Sequence, residues 1–133
     1  MAGMTFGALT YNQYLDNREK LSEYIKAAIQ PGCMSLKELE SAVRAHQMLP
    51  VGIFEDGSII GFMVLEQTQD AIHVTTLSGE FPEDWIAEVY AFVAEIAQNE
   101  KKPYLQCAGR KGWLKKLKDY NMSHDGELIR VEI

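Results

Sequence analysis

The hydrophobic residues in the first third of the chain recur at helical spacing. Between Tyr11 and Ile29 they lie mostly three or four residues apart, as on one face of an α-helix. This pattern predicts a short strand over residues 4–9 and then one helix over Tyr11–Ile29, which Pro31-Gly32 ends. A second helix begins at Ser35-Leu36-Lys37-Glu38, because this run has the form of a capping box.

Three strands are predicted next, over Leu49–Phe54, Ser58–Glu66 and Ala71–Leu77. The Asp56-Gly57 pair between the first two is typical of a tight hairpin turn. The second of the three is apolar on both faces, which is typical of a strand that is covered on both sides. Because the links are too short for crossovers, the three strands form an antiparallel meander.

The last third predicts two further helices and two further strands. They are the helix Glu83–Asn99 behind Pro82, the strand Pro103–Cys107, the helix Trp113–Tyr120 and the strand Glu127–Ile133. A strand, a helix and a strand in succession indicate a right-handed crossover, so the third meander strand and Pro103–Cys107 run parallel. No linker or repeat interrupts the 133 residues, and we expect one α/β domain over residues 1–133.

Composition and charge exclude several classes of function. A formal charge of −6 argues against nucleic-acid binding, and no apolar stretch approaches the ~20 residues of a membrane span. Residues 1–10 do not have the pattern of a signal peptide. Cys33 and Cys107 suggest no disulfide framework, so a reducing cytoplasm is expected, and the three histidines lack the spacing of metal ligands.

The order of elements resembles that of the GNAT-type N-acetyltransferases from end to end. The hairpin is similar to the family's, with the turn Glu55-Asp56-Gly57 followed by Ile59-Ile60-Gly61, and Pro103–Met122 resembles its closing segment. The resemblance implies a mixed α/β (α+β) fold with a mainly antiparallel sheet and helices on both faces. The run Gly109–Trp113 looks like small GNAT-like proteins of bacteriophages, which implies the host cytoplasm or a virion as its location.

The resemblance also implies where acetyl-CoA would bind. In the family, the cofactor lies where the third meander strand parts from the strand after the long helix, and backbone N–H groups at that helix start hold its pyrophosphate. On this chain the backbone of Thr75–Leu77 would hold an oxyanion, and Gly79 is what remains of the glycine-rich turn. Arg110 and Lys111 are the expected phosphate-binding cations.

The turn itself departs from the family's pattern. Pro82 has no N–H to donate, and the three acidic residues Glu80, Glu83 and Asp84 place negative charge where a diphosphate would lie. An ordinary acid-rich helix start accounts for the same residues without any ligand.

Two residues are candidates for acid–base chemistry. The family's acid is often a tyrosine on the last helix, but Leu117 stands at that position, which leaves nearby Tyr120 as the candidate. His73 on the third meander strand has the intrinsic chemistry of a base. The simpler interpretations are a core position for Tyr120 and a half-exposed strand position for His73.

Two functions therefore stay open. The missing glycines and the missing tyrosine favour a GNAT-like scaffold without the cofactor, a phage-encoded accessory or virion-associated protein that binds a protein partner or forms a homodimer. The alternative is an active N-acetyltransferase that uses acetyl-CoA on the amine of a small molecule or a protein.

Overall fold

The computed structural model describes residues 4–29, 34–82, 85–108, 116–120, 122–125 and 128–133. In chain order, its elements are β1 (Thr5–Ala8), α1 (Tyr11–Asp16), α2 (Arg18–Ala28), α3 (Leu36–Arg44), β2 (Leu49–Glu55), β3 (Ser58–Gln67), β4 (Ala71–Gly79), α4 (Trp85–Asn99), β5 (Tyr104–Ala108), β6 (Met122–Asp125) and β7 (Leu128–Glu132).

The strands form one mixed sheet in the order β1-β2-β3-β4-β5-β7-β6. The pair β4–β5 is parallel, whereas β1–β2, β2–β3, β5–β7 and β6–β7 are antiparallel. The predicted mixed, mainly antiparallel sheet and the parallel crossover are thus confirmed. The chain divides into two compact units, the first made of Met1–Glu66 and Thr76–Glu83, the second of Gln67–Thr75 and Asp84–Ile133.

In the first unit, the single helix predicted over Tyr11–Ile29 is wrong, because the chain forms two helices that meet at Asn17. The backbone of Asn17 leaves the helical conformation (φ −117°, ψ 16°), and its side-chain amide donates to the carbonyl of Gln13 at 3.0 Å. An asparagine that bonds to nearby backbone competes with helix propagation. Periodicity alone does not reveal this break, since the apolar spacing continues across it.

The local signals at helix and hairpin ends are confirmed. Ser35 caps α3 as predicted, with its hydroxyl oxygen 3.2 Å from the N–H of Glu38 and a reciprocal bond from the Ser35 N–H to the Glu38 carboxylate. The β2–β3 turn places Asp56 and Gly57 in the left-handed region, at φ 51° and 81°. These conformations suit a two-residue hairpin.

The core of the first unit joins the three N-terminal helices to β3. Its buried members are Tyr14, Leu21, Ile25, Leu39, Ala42, Val43, Met48, Phe62 and Val64. The ring of Tyr14 lies 5.8 Å from that of Phe62, and Tyr14 has no exposed surface. Burial of such aromatic and aliphatic side chains is the main stabilising contribution in a domain of this size.

A polar cluster ties α1 and α2 to α3 at the edge of this core. The Tyr14 hydroxyl donates to the Glu40 carboxylate at 2.7 Å. The Arg18 guanidinium donates to both oxygens of the same carboxylate, at 2.6 and 2.9 Å. A bidentate arginine–carboxylate pair fixes both partners in one geometry.

In the second unit, α4 packs over apolar residues of β5 and β7. Val89 and Val93 of α4 line a small cavity of about 40 Å³ together with Leu105, Ile129 and Val131. The helix ends at Asn99. Beyond it, Lys101 adopts the left-handed conformation (φ 58°), and the Lys102 N–H donates to the Ala97 carbonyl. This arrangement satisfies a carbonyl of the last turn.

The C-terminal segment contains a strand that the sequence pattern does not predict. β6 (Met122–Asp125) pairs antiparallel with β7, from Met122 against Val131 to Asp125 against Leu128. Of the predicted helix Trp113–Tyr120, residues 113–115 lie outside the described residues. Lys116 and Leu117 are helical, and residues 118–120 form a turn and a bend. Among the described residues, no helix has the length and apolar character needed to cross a membrane.

Candidate functional site

The predicted cofactor site depends on the end of β4. The parallel ladder joins Ala71–Val74 of β4 to Tyr104–Cys107 of β5. β4 then continues for five residues to Gly79, whereas β5 ends at Ala108. The candidate residues Thr75, Leu77 and Gly79 all belong to this continuation, which is two residues longer than predicted.

Two consecutive hydroxyls of this continuation are buried without a partner. The Oγ1 atoms of Thr75 and Thr76 make no hydrogen bond within the described residues, and Thr76 is only 4% exposed. An unsatisfied buried hydroxyl costs roughly 1–3 kcal/mol. Groups of this kind are ones that a ligand or a bound water would satisfy. The sequence did not single out Thr76, because a threonine in a strand is ordinary.

Gly79 already has a structural role in the first unit. A Cβ atom at this position would lie 2.5 Å from the Ile60 carbonyl oxygen, 2.6 Å from the Gly61 Cα and 2.7 Å from the Phe81 ring. A Cβ at Gly61 would also contact that ring, at 2.5 Å. The phenyl ring of Phe81 therefore lies on a surface made of two glycines, and both must lack side chains for this packing.

The backbone after Gly79 offers few donors to a phosphate. The Glu80 N–H already donates to the Ile60 carbonyl at 2.7 Å, and Pro82 has no N–H. Glu80 also brings negative charge to this region: burial chiefly, and then the charge of Glu80, raises the pKa of Tyr24. The described residues of this turn thus do not fit a diphosphate. Glu83 and Asp84, named in the same argument, lie outside the described residues.

His73 belongs to a polar row that crosses the second unit. Its Nδ1 lies 3.0 Å from the side-chain Nε2 of Gln106, and Gln106 Oε1 accepts from Arg130 Nε at 3.1 Å. The guanidinium also pairs with the Asp70 carboxylate and lies 4.5 Å from the centre of the Tyr104 ring. Strand register creates the row, since His73 pairs with Gln106 and Gln106 with Arg130.

The row determines which nitrogen of the neutral His73 ring carries the proton. A guanidinium can only donate, so the oxygen of the Gln106 amide faces Arg130 and its amino group faces His73. An amide amino group also only donates, so His73 Nδ1 accepts and Nε2 carries the proton. The lone pair of the ring is thereby engaged, and the row argues against His73 as a general base.

We expect NMR to find the Nε2–H tautomer of His73 in the neutral ring. Long-range ¹H–¹⁵N correlations recorded near pH 8, above the usual titration range of histidine, report the tautomer directly. Gln106→Glu replaces the donor with a carboxylate that only accepts, and the major tautomer should then change to Nδ1–H by about tenfold or more. An Nδ1–H majority in the unmodified protein would contradict the assignment.

Leu117 and the acid candidate Tyr120 both have packing roles. Leu117, at the position of the family's tyrosine, is 6% exposed and lines the small cavity under α4. The ring of Tyr120 lies 4.4 Å from that of Tyr90 on α4. Burial, followed by the proximity of Tyr120, raises the pKa of Tyr90. The simpler interpretation of Tyr120 as a packing residue is thus supported by its geometry.

Two further candidates cannot be placed. Arg110 and Lys111 lie outside the described residues. Lys116, from the same basic run, has its ammonium 5.5 Å from the centre of the Trp85 ring.

Cys107 is buried and unpaired, and burial raises the pKa of its thiol to about 11, so it is a poor nucleophile. No cluster of metal-ligating side chains occurs among the residues that are described.

The partners of His73 could not be identified from the sequence. Gln106 is 33 residues and Arg130 57 residues along the chain from it, and only strand pairing brings the three together. Gln106 does carry a weak signal, because it interrupts an otherwise apolar strand at an alternating position.

No protein-family model and no curated protein matches the sequence. Solved structures do match. PaiA N-acetyltransferase of Thermoplasma acidophilum in complex with coenzyme A is 18% identical and matches over 98% of this chain and 99% of its own, with a TM-score of 0.62. A GNAT family acetyltransferase of Elizabethkingia anophelis with acetyl-CoA bound is 13% identical over 98% of each chain, with a TM-score of 0.70.

A third similar structure is the ribosomal-protein-alanine N-acetyltransferase of Brucella melitensis. It is 14% identical and matches over 92% of this chain and 94% of its own, with a TM-score of 0.70. At such identities the likeness concerns the fold. This chain therefore has the GNAT acetyltransferase fold, as the resemblance implied, over nearly its whole length.

Proposed function

We propose that this chain is a GNAT-fold protein that does not transfer acetyl groups and acts as a non-catalytic accessory protein. The observation that carries the proposal is the packing at Gly79. The one glycine that remains of the cofactor turn is needed for contact with Ile60, Gly61 and Phe81, and the next amide is already bonded to β3. A diphosphate needs several unpaired donors at such a turn.

The candidate catalytic groups support the same proposal. His73 has its lone pair engaged by Gln106, and Tyr120 packs on Tyr90. Leu117, which stands in place of the acid, is an aliphatic residue without a proton to donate. These three residues thus contribute to packing or to an internal hydrogen bond.

Thermal unfolding in the presence of acetyl-CoA tests the proposal. A ligand at about 100 times its dissociation constant adds about 2.7 kcal/mol to the free energy of unfolding. We expect no change in the Tm of this protein with millimolar acetyl-CoA, and no release of free CoA thiol with a panel of polyamines, amino sugars and peptide N-termini.

The Elizabethkingia anophelis acetyltransferase, whose structure contains acetyl-CoA, is the positive control and should show a rise in Tm under the same conditions. A comparable rise for this chain, with turnover of any amine, would overturn the proposal. Binding of acetyl-CoA without turnover would support the absence of acetyl transfer but would refute the expectation that the protein does not bind acetyl-CoA.

An active N-acetyltransferase is the second candidate, and the orphaned hydroxyls of Thr75 and Thr76 favour it. They lie on the part of β4 where the family's cofactor would run, and no described residue satisfies them. If they bind acetyl-CoA, Thr76→Val should reduce a cofactor-induced rise in Tm while leaving the cofactor-free protein folded. The acceptor would be an amine of a small molecule or a protein.

As a non-catalytic protein, the chain would act through a protein partner or a second copy of itself. The expectation of a phage-encoded virion or host-cytoplasm component rests on the run Gly109–Trp113. This run lies outside the described residues, so the expectation stays a prediction. Mass spectrometry of purified virions, if the gene lies in a phage genome, would detect such a component.

A further inference from the structure

An open groove of about 520 Å³ lies in the first unit, away from the candidate site on β4. It separates the α1–α2 junction from the β2–β3 hairpin. The residues that line it are Leu9, Gln13, Asn17, Lys20, Phe54, Gly57, Ser58 and Ile59. Its volume is within the range of small-molecule binding sites.

The floor of the groove is apolar, and glycines shape it. A Cβ atom at Gly52 would lie 2.9 Å from the Phe54 ring, and one at Gly7 would lie 3.5 Å from it. These two glycines face each other in the β1–β2 register, so the ring lies close against the backbone of both strands. The β-bulge between Ile53 and Phe54 re-aims the side chain at this point.

The wall of the groove is polar and carries hydrogen-bond donors. The three polar residues come from both helices that meet at Asn17: Gln13 from α1, Asn17 from the junction and Lys20 from α2. The Gln13 side-chain oxygen accepts from the Thr10 N–H at 2.9 Å, which leaves its amino group to donate. Lys20 Nζ donates to the Ile59 carbonyl at 2.7 Å, and two of its three N–H groups remain.

The charge of the lining is unusual for this protein. The chain has 19 acidic and 13 basic residues, yet no carboxylate lines the groove, and Lys20 is the one charged residue among the eight. An apolar floor beside an ammonium group and an amide donor suits a ligand that has a planar apolar body and one negative charge.

We propose that this groove binds a small organic carboxylate with an aromatic body. The ring lies against Phe54, and the carboxylate accepts from Lys20 and from the amide of Gln13. The apolar part of the lining is Leu9, Phe54 and Ile59, and the donors Gln13 and Lys20 come from α1 and α2. This site is independent of acetyl transfer, so it stands or falls separately from the proposed function.

Ligand-observed NMR and chemical-shift mapping on the full chain test the site, with phenylacetate as the probe and phenylacetamide as its uncharged match. We expect saturable binding of phenylacetate at about millimolar concentration, with chemical-shift changes in Gln13, Lys20 and Phe54. Phenylacetamide should bind at least about fivefold more weakly than phenylacetate. Lys20→Met keeps the aliphatic stem and should weaken phenylacetate binding about fivefold or more.

Lys26→Met is the matched control, because Lys26 lies on the same helix, is exposed and pairs with Glu23 at 3.4 Å outside the groove. It should change the affinity by less than about twofold. Equal affinity for the acid and the amide, an effect of Lys26→Met as large as that of Lys20→Met, or no saturable binding up to about 20 mM would overturn the proposal.

Discussion

Replacing Gly79 with alanine is expected to lower the free energy of unfolding by roughly 2–3 kcal/mol. The added Cβ would lie 2.5 Å from the Ile60 carbonyl oxygen and 2.6 Å from the Gly61 Cα, distances far inside normal contact. Both atoms belong to the backbone of β3, so no side-chain rotation can relieve the overlap. Denaturant unfolding measures the change directly.

Gly7→Ala is the matched control for this substitution. The nearest atom to a Cβ at Gly7 is in the Phe54 ring at 3.5 Å, an ordinary contact, and the strand position should tolerate alanine within about 0.5 kcal/mol. The double variant Gly79→Ala/Phe81→Ala should recover none of the stability that is lost through the overlap with the β3 backbone, because removing the ring leaves that overlap in place. A Gly79→Ala protein as stable as the unmodified chain would show that Phe81 does not need the glycine surface, and would remove the main support for the proposed function.

Glu40→Ala is expected to destabilise the protein by about 2–3 kcal/mol. The substitution leaves the hydroxyl of the fully buried Tyr14 without its acceptor at 2.7 Å and removes the carboxylate that holds Arg18. Glu23→Gln is the control, because Glu23 and Lys26 form a surface pair whose side chains are 71% and 57% exposed. Its loss should cost less than about 0.5 kcal/mol.

The contribution of Glu40 should also depend on pH. The hydrogen bond from Arg18 is the main cause that lowers the pKa of Glu40, burial opposes it, and the bond from Tyr14 adds to the lowering. A carboxyl whose pKa is lower in the folded state stabilises above its unfolded pKa of about 4.3 and loses this contribution as the pH falls through the folded value. The difference between the unmodified protein and Glu40→Gln should therefore be constant from about pH 6 to 8 and shrink below about pH 4. A difference that grows on acidification would contradict this assignment.

The fold could be predicted from the sequence wherever a local signal has one structural outcome. The capping box at Ser35, the Asp56-Gly57 turn and the apolar face of α4 each specify their element without help from distant residues. The break at Asn17 and the strand β6 were missed for a shared reason. In both cases the outcome depends on hydrogen bonds that periodicity does not encode, a side chain bonding to Gln13 and a ladder to β7.

Candidate site residues could be named from the sequence, but the contacts that these residues make could not. The glycine-poor turn after Gly79 is visible in the sequence, and it already favoured a protein without the cofactor. That Phe81 packs on Gly61 and Gly79 is a contact across two strands. The orientation of His73 depends on Asp70, Gln106 and Arg130, which meet only when β4, β5 and β7 are in register. Long-range register is the information that a single sequence lacks.

The two outermost strands limit how copies of this protein could associate. β1 and β6 stand at the ends of the sheet, and each has four residues. An incoming strand could form only about four backbone hydrogen bonds with either one. At about 1 kcal/mol each, these bonds contribute about 4 kcal/mol, which does not exceed even the lowest value of the 4–15 kcal/mol that association costs. Growth of the sheet from molecule to molecule is therefore disfavoured, and a lasting complex has to bury side chains instead.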